Sequence, residues 1–139
     1  MKEFKIEAIT ENLHAVLEFI DRELKLVGCP MKIQMQIEIA AEEIFVNIAG
    51  YAYTGKSGLA VVRVELHPEQ PSIDITFIDH GVPYNPLAKA DPDITLSAED
   101  RQIGGLGIFM VKKSMDEVKY NHLDGCNILT IKKGWRSDS

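Results

Sequence analysis

Three glycines fall within four positions, Gly104, Gly105 and Gly107, and run directly into the apolar stretch Leu106, Ile108, Phe109, Met110 and Val111. The stretch turns polar at Lys112-Lys113 and apolar again at Met115. This reads as a glycine-rich loop opening into a helix. Glycines let a backbone approach a ligand closely and adopt unusual dihedrals without strain. A helix N-terminus adds unpaired N–H groups and positive partial charge, which suits an anion such as a phosphate. A tight loop before a buried helix would leave the same pattern, so the rest of the chain has to decide.

Nothing in the bulk properties points to nucleic acid or membrane. The formal net charge is −6, and Lys/Arg do not cluster, which disfavours a phosphate-backbone footprint. No apolar run approaches the ~20 residues that a bilayer requires, and the charged start Met1-Lys-Glu-Phe-Lys-Ile-Glu carries no leader pattern. Cys29 and Cys126 lack metal-site spacing and read as reduced thiols. The expected setting is the cytoplasm. With 139 residues, the chain suits one domain, expected over 1–134 with a tail at 135–139.

Polar and apolar residues alternate from Lys2 to Ile9, the pattern of a half-buried strand. Thr10 reads as the N-cap of a helix carrying Leu13, Val16, Leu17, Ile20 and Leu24, closed by Gly28-Cys29-Pro30. A second helix spans about Met31 to Tyr51, with Ile33, Ile37, Ala40, Ala41, Ile44 and Ile48 as its buried stripe. Glu38 and Glu42 lie opposite that stripe, toward solvent. Glu43 and Asn47 are four apart and share one face at its border. There they can reach a cleft, or simply edge the helix.

Thr54-Gly-Lys-Ser-Gly58 is turn chemistry; Gly50 to Ser57 spells GxxxxGK[ST], but its first glycine falls inside the helix read over Met31 to Tyr51 and no strand leads into it, so it is not read as a P-loop. Leu59 to His67 and Ser72 to Ile78 read as strands joined through Pro68-Glu-Gln-Pro71. The second ends in Asp79-His-Gly81-Val-Pro83. A carboxylate at a strand end, with glycine two residues on, can accept an exocyclic amine beside a surface open to a flat ring; an Asx-type turn explains it equally. Leu87 to Ile103 is a long polar connector, of the kind that serves as a lid or binding loop. Val118 to His122 and Ile128 to Lys132 form a last hairpin around Leu123-Asp-Gly125, and the tail from Gly134 is expected to fray.

Glu43-xxx-Asn47, Asp79-x-Gly81-x-Pro83 and Gly104-Gly-x-Gly107 stand in order along the chain. This arrangement resembles the N, G1 and G2 boxes of the GHKL ATPase superfamily. It resembles most the bacterial anti-sigma-factor serine kinases, through Asp79–Pro86, Gly104–Val111, Met115–Val118 and Asn127–Lys132. Tyr51 stands where many relatives carry histidine. The resemblance implies an α+β fold: a two-layer α/β sandwich (Bergerat/GHKL) whose mixed, mostly antiparallel sheet has helices on one face.

It also implies ATP and Mg²⁺. Asn47 would be the magnesium ligand and Glu43 the general base. Asp79 and Gly81 would meet the adenine. Gly104, Gly105, Leu106 and Gly107 would cradle phosphates, and Thr130 would sit near the adenine end. The implied partners are a sigma factor, contacted by Arg101, and a STAS-domain antagonist phosphorylated on serine, with the kinase acting as a homodimer. The alternative is a nucleotide-gated protein-binding module with little or no kinase turnover.

Overall fold

The computed structural model describes residues 1–53, 56–88 and 105–135. Five strands form one sheet: β1 (Lys2–Glu7), β2 (Leu59–His67), β3 (Ser72–Asp79), β4 (Glu117–Leu123) and β5 (Cys126–Gly134). Their order is β1-β2-β3-β5-β4. Three helices complete the chain: α1 (Leu13–Leu26), α2 (Met31–Tyr51) and α3 (Gly105–Ser114). The two-layer α+β architecture is as expected, but the sheet is not mixed. Each of its four pairings is antiparallel among the described residues. Two helices separate β1 from β2, so the chain goes out and back, and β2 starts where β1 ends, at the pair Glu7↔Leu59.

Strand period two sends Ala60, Val62 and Val64 of β2, Ile73, Ile75 and Phe77 of β3, and Leu129 and Ile131 of β5 to the buried face. Val16, Ile20 and Leu24 of α1 meet them, with Ile37, Ala40, Ala41, Ile44 and Ile48 of α2 and Val111 of α3. Phe45 of α2 is also fully buried. A one-sided stripe does not anticipate it, because α2 packs against both α1 and α3 and so buries more than one face.

The start of α1 differs from expectation. Thr10–Asn12 form a 3-10 turn, and Thr10 makes no capping bond. Instead the Asn12 amide donates to the Glu7 carbonyl at 2.9 Å, tying the helix entry to the end of β1. Pro30 is the residue immediately before α2. Glu38 is half-buried rather than solvated. Burial pushes its carboxyl above the usual range, against the Gln34 amide that lowers it, and Asp21 across the helix pair raises it further. Gln34 itself is buried and donates to Asp21.

At the other end of the chain, Asp124 (φ 54°) and Gly125 (φ 78°) make a two-residue turn with both residues left-handed. Such a turn carries the ladder right up to the loop, so β4 and β5 are longer than the alternation alone suggests. Gly134 does not begin a frayed tail. It ends β5, and the next N–H, that of Trp135, donates to the Pro71 carbonyl at 3.0 Å while the Trp135 ring packs on the core. No helix among the described residues is long and apolar enough to cross a membrane.

Both cysteines are free. Cys29 is buried, and desolvation, with Glu38 nearby, pushes its thiol up to about 11. Thiolate is the reactive form. At pH 8, iodoacetamide is therefore expected to leave Cys29 unmodified in the folded chain and to reach it only with denaturant, as peptide mass mapping would show.

Candidate functional site

Four elements converge at one end of the sheet. β3 ends there at Asp79, β5 starts there, and Asp79 pairs directly with Asn127. The C-terminal half of α2 and the first turns of α3 close the space above. Between them lies a cleft of about 470 Å³, counted out to its open mouth. Its walls include Ile48, Phe77, Ile108 and Leu129, and its polar groups are Asn47, Asp79 and Asn127. Tyr51, Tyr84 and Tyr120 contribute ring surface. Such a cavity, mostly apolar with a few placed polar atoms, suits a flat organic ligand.

Asp79 is 4% exposed. Its Oδ1 accepts the Gly81 N–H at 2.9 Å and the Asn127 amide at 2.9 Å. A buried carboxylate held by neutral donors stays oriented as an acceptor. Asn127 does more than hold Asp79. Its Nδ2 also donates to the Val82 carbonyl at 3.0 Å, and its Oδ1 accepts the Tyr84 N–H at 3.2 Å and the Tyr120 hydroxyl. One amide thus fixes the whole Asp79–Tyr84 loop against β5.

Thr130, expected near the adenine end, is not in this site. Residues 127, 129 and 131 of β5 face the helices, so 128, 130 and 132 face away. Thr130 Oγ1 instead lies 3.2 Å from Thr76 Oγ1 on the outer face of the sheet. The residue that belongs to the cleft is Asn127. Its signal was legible as a polar residue in phase with the buried Leu129 and Ile131.

Asn127→Ala strands the Tyr84 N–H and the Val82 carbonyl and is expected to cost about 1–3 kcal/mol in urea denaturation. Thr130→Ala, on the outer face, should cost less than about 1 kcal/mol. The reverse order would refute this placement.

Gly81 serves the site by packing rather than by leaving room for a ring. A Cβ there would lie 2.2 Å from the Ala52 carbonyl oxygen. The Val82 N–H donates to that same oxygen at 2.9 Å, so the loop is bolted to the end of α2. Tyr53, which sequence reasoning missed, adds a second tie: its hydroxyl donates to the Leu59 carbonyl at 2.6 Å and accepts the His80 N–H at 2.8 Å. Burial raises the Tyr53 phenol; the His80 N–H works against this, and the negative Asp79 adds to it.

Glu43 and Asn47 do come together, one turn apart on α2. The Asn47 amide approaches Glu43 Oε1 at 3.5 Å. That use of Nδ2 leaves the Asn47 Oδ1 as the available oxygen donor. Glu43 is pressed against α3: a Cβ on Gly107 would fall 2.0 Å from its Oε1. Gly107 is therefore the condition for Glu43 to sit where it does. Gly105 and Leu106 open the α3 backbone, and the first four N–H groups of any α-helix lack partners within it. Arg101, Gly104 and the connector from 89 to 103 lie outside the described residues.

Residues 6–133 match the family described as Histidine kinase-like ATPase domain. The chain is 26% identical over 100 residues to the serine/threonine-protein kinase BtrW of Bordetella bronchiseptica, covering 72% of this chain and 70% of that protein. It is 25% identical over 100 residues to the serine-protein kinase RsbW of Listeria innocua, covering 69% and 63% respectively. For RsbW of Bacillus cereus the values are 28% over 100 residues, 69% and 61%. The matches thus span less than two thirds of the length of both RsbW relatives. In fold, the chain is similar to the crystal structure of the RsbU and RsbW domains of a Mycobacterium tuberculosis protein. The TM-score is 0.64 at 18% identity, covering 96% of this chain and 32% of that one.

Proposed function

The chain belongs to the histidine kinase-like ATPase domain family, and from that footing we propose that it is an ATP-dependent protein serine kinase acting as an anti-sigma factor. In this reading it binds a sigma factor and phosphorylates a serine of a STAS-domain antagonist. It works in the cytoplasm as a homodimer, with residues 1–134 as the kinase domain. The observation that carries the reading is the meeting of Glu43 with Asn47 and with Gly107 at the start of α3. A module that only binds nucleotide needs no carboxylate there.

The residues present fit ATP and Mg²⁺. Asp79, oriented by Gly81 and Asn127, offers an acceptor to an exocyclic amine in an apolar cleft. The α3 N-terminus, with Gly105, Leu106 and Gly107, offers backbone N–H groups to phosphates, and Gly104 directly precedes them in the sequence. Asn47 Oδ1 is the hard oxygen donor that magnesium prefers. When bound, Mg·ATP supplies the phosphoryl group and neutralises its charge. The chain's own part is positioning, plus a carboxylate at Glu43 to take the proton of an incoming hydroxyl. Thr130 has no part in this arrangement, and Arg101 is kept as the candidate sigma contact.

A second reading follows from the long polar connector that precedes Gly104 in the sequence: nucleotide orders a binding surface while little phosphate is transferred. Incubation with radiolabelled ATP, Mg²⁺ and the STAS-domain proteins of the same genome separates the two. Label on a serine of one of them is the expected result. ATP binding without label would favour the gated module, and no ATP binding at all would defeat both.

A further inference from the structure

The proposed base does not open onto the cleft that would hold the nucleotide base. Asn47 lines that cleft; Glu43, one turn earlier, lines a second groove between α2 and α3, together with Gly107. The groove measures about 940 Å³ out to its open mouth. Cleft and groove meet at the Glu43–Asn47 pair. The walls of the groove are unusual for a solvent-facing surface. Ile39 is 63% exposed and Met110 is 54% exposed, one from each helix. Met35 and Met31 continue the stripe along α2 at helical spacing, and both are exposed. A contiguous apolar stripe of this kind marks an interaction surface.

We propose that this groove seats the phosphoacceptor segment of the protein substrate, and that the segment carries an aliphatic side chain within about two residues of the acceptor serine. The aliphatic side chain packs between Ile39 and Met110. The serine hydroxyl then stands at Glu43. The proposal rests on the kinase reading. The occupant follows from the position of the base: with nucleotide in the cleft, the groove is the open side from which a hydroxyl reaches the Glu43 carboxylate. In the transfer, the serine O–H bond breaks and its proton passes to Glu43. The serine oxygen forms a bond to the γ-phosphorus of ATP, and the bond from that phosphorus to the bridging oxygen breaks, its electron pair leaving with ADP. Glu42, exposed at the same groove, disfavours acidic residues in the segment.

Ile39→Glu and Met110→Glu in the full chain test this, with Ile39→Leu as the conservative control. The probe is the STAS-domain protein labelled in the ATP experiment. Both positions are exposed, so thermal melts should stay near wild type. The expected result is a fall in kcat/KM of about thirtyfold or more, carried by KM for the protein substrate. ATP affinity should stay within about twofold, and Ile39→Leu should transfer phosphate normally. Wild-type transfer by both glutamate variants would overturn the proposal. So would normal transfer together with lost self-association, which would assign the groove to a second copy of this chain. If the wild-type chain binds ATP but labels no STAS-domain protein, the kinase reading fails first, and the groove assignment falls with it.

Discussion

Asp79→Asn should abolish useful ATP binding while leaving the fold nearly intact. The amide oxygen can still accept from Gly81 N–H and the Asn127 side chain, the two donors that hold Oδ1 now. The NH₂ group then takes the place of the second carboxylate oxygen. An acceptor for an exocyclic amine becomes a donor facing a donor. Losing a hydrogen bond to a charged group costs about 1.5–3 kcal/mol, or roughly 10- to 150-fold in affinity. The donor–donor repulsion places the result at the upper end. Asp79→Ala should lose affinity similarly but also stability, because it orphans both internal donors. Titration calorimetry with ATP, beside a denaturation curve, reads the two effects separately. Wild-type affinity in Asp79→Asn would remove the adenine role of this carboxylate.

The second large effect is on transfer rather than binding. Glu43→Ala should lower phosphorylation of the protein substrate by about 10²- to 10⁴-fold, the usual contribution of a positioned base. ATP affinity should change little, because Asn47, not Glu43, lines the nucleotide cleft. Gly107→Ala should mimic it in part. Its methyl would occupy the space of the Glu43 carboxylate, which would have to swing away. Because that carboxylate is the mobile end of a half-exposed side chain, stability should hardly fall. The same substitution at Gly81 meets the Ala52 backbone, which cannot swing away, so it should destabilise the fold by about 1–3 kcal/mol. A Glu43→Ala protein that still labels its substrate at the wild-type rate would refute the base role of Glu43 and leave the transfer itself to other groups.

Much of this architecture was legible from periodicity. The bounds of α2 and β2 match those read from the sequence, because both segments are long and strictly patterned. The Glu43–Asn47 pair and the position of Asp79 at a strand end follow from spacing alone. What escaped was set by tertiary contact. Resemblance alone points to Thr130, whereas strand phase turns it away from the cleft and turns Asn127 into it. Gln34 looks like a surface residue until α1 brings Asp21 against it. Gly81 looks like room for a ligand until the end of α2 fills that space. Antiparallel pairing of β1 with β2 depends on the two intervening helices returning the chain, which no local pattern records.

That pairing also bears on how the molecule assembles. β2 with β3, and β4 with β5, are close neighbours in sequence, so each hairpin can form early at little entropic cost. β1 has β2 as its partner in the strand order and stands at the edge of the sheet; Lys2 must find Val64 after α1 and α2 have formed. Closing so long a loop is slow, and the contacts it rewards come last. β1 is thus expected to dock late in folding and to open first in hydrogen exchange, with the central β3–β5 ladder the last to yield.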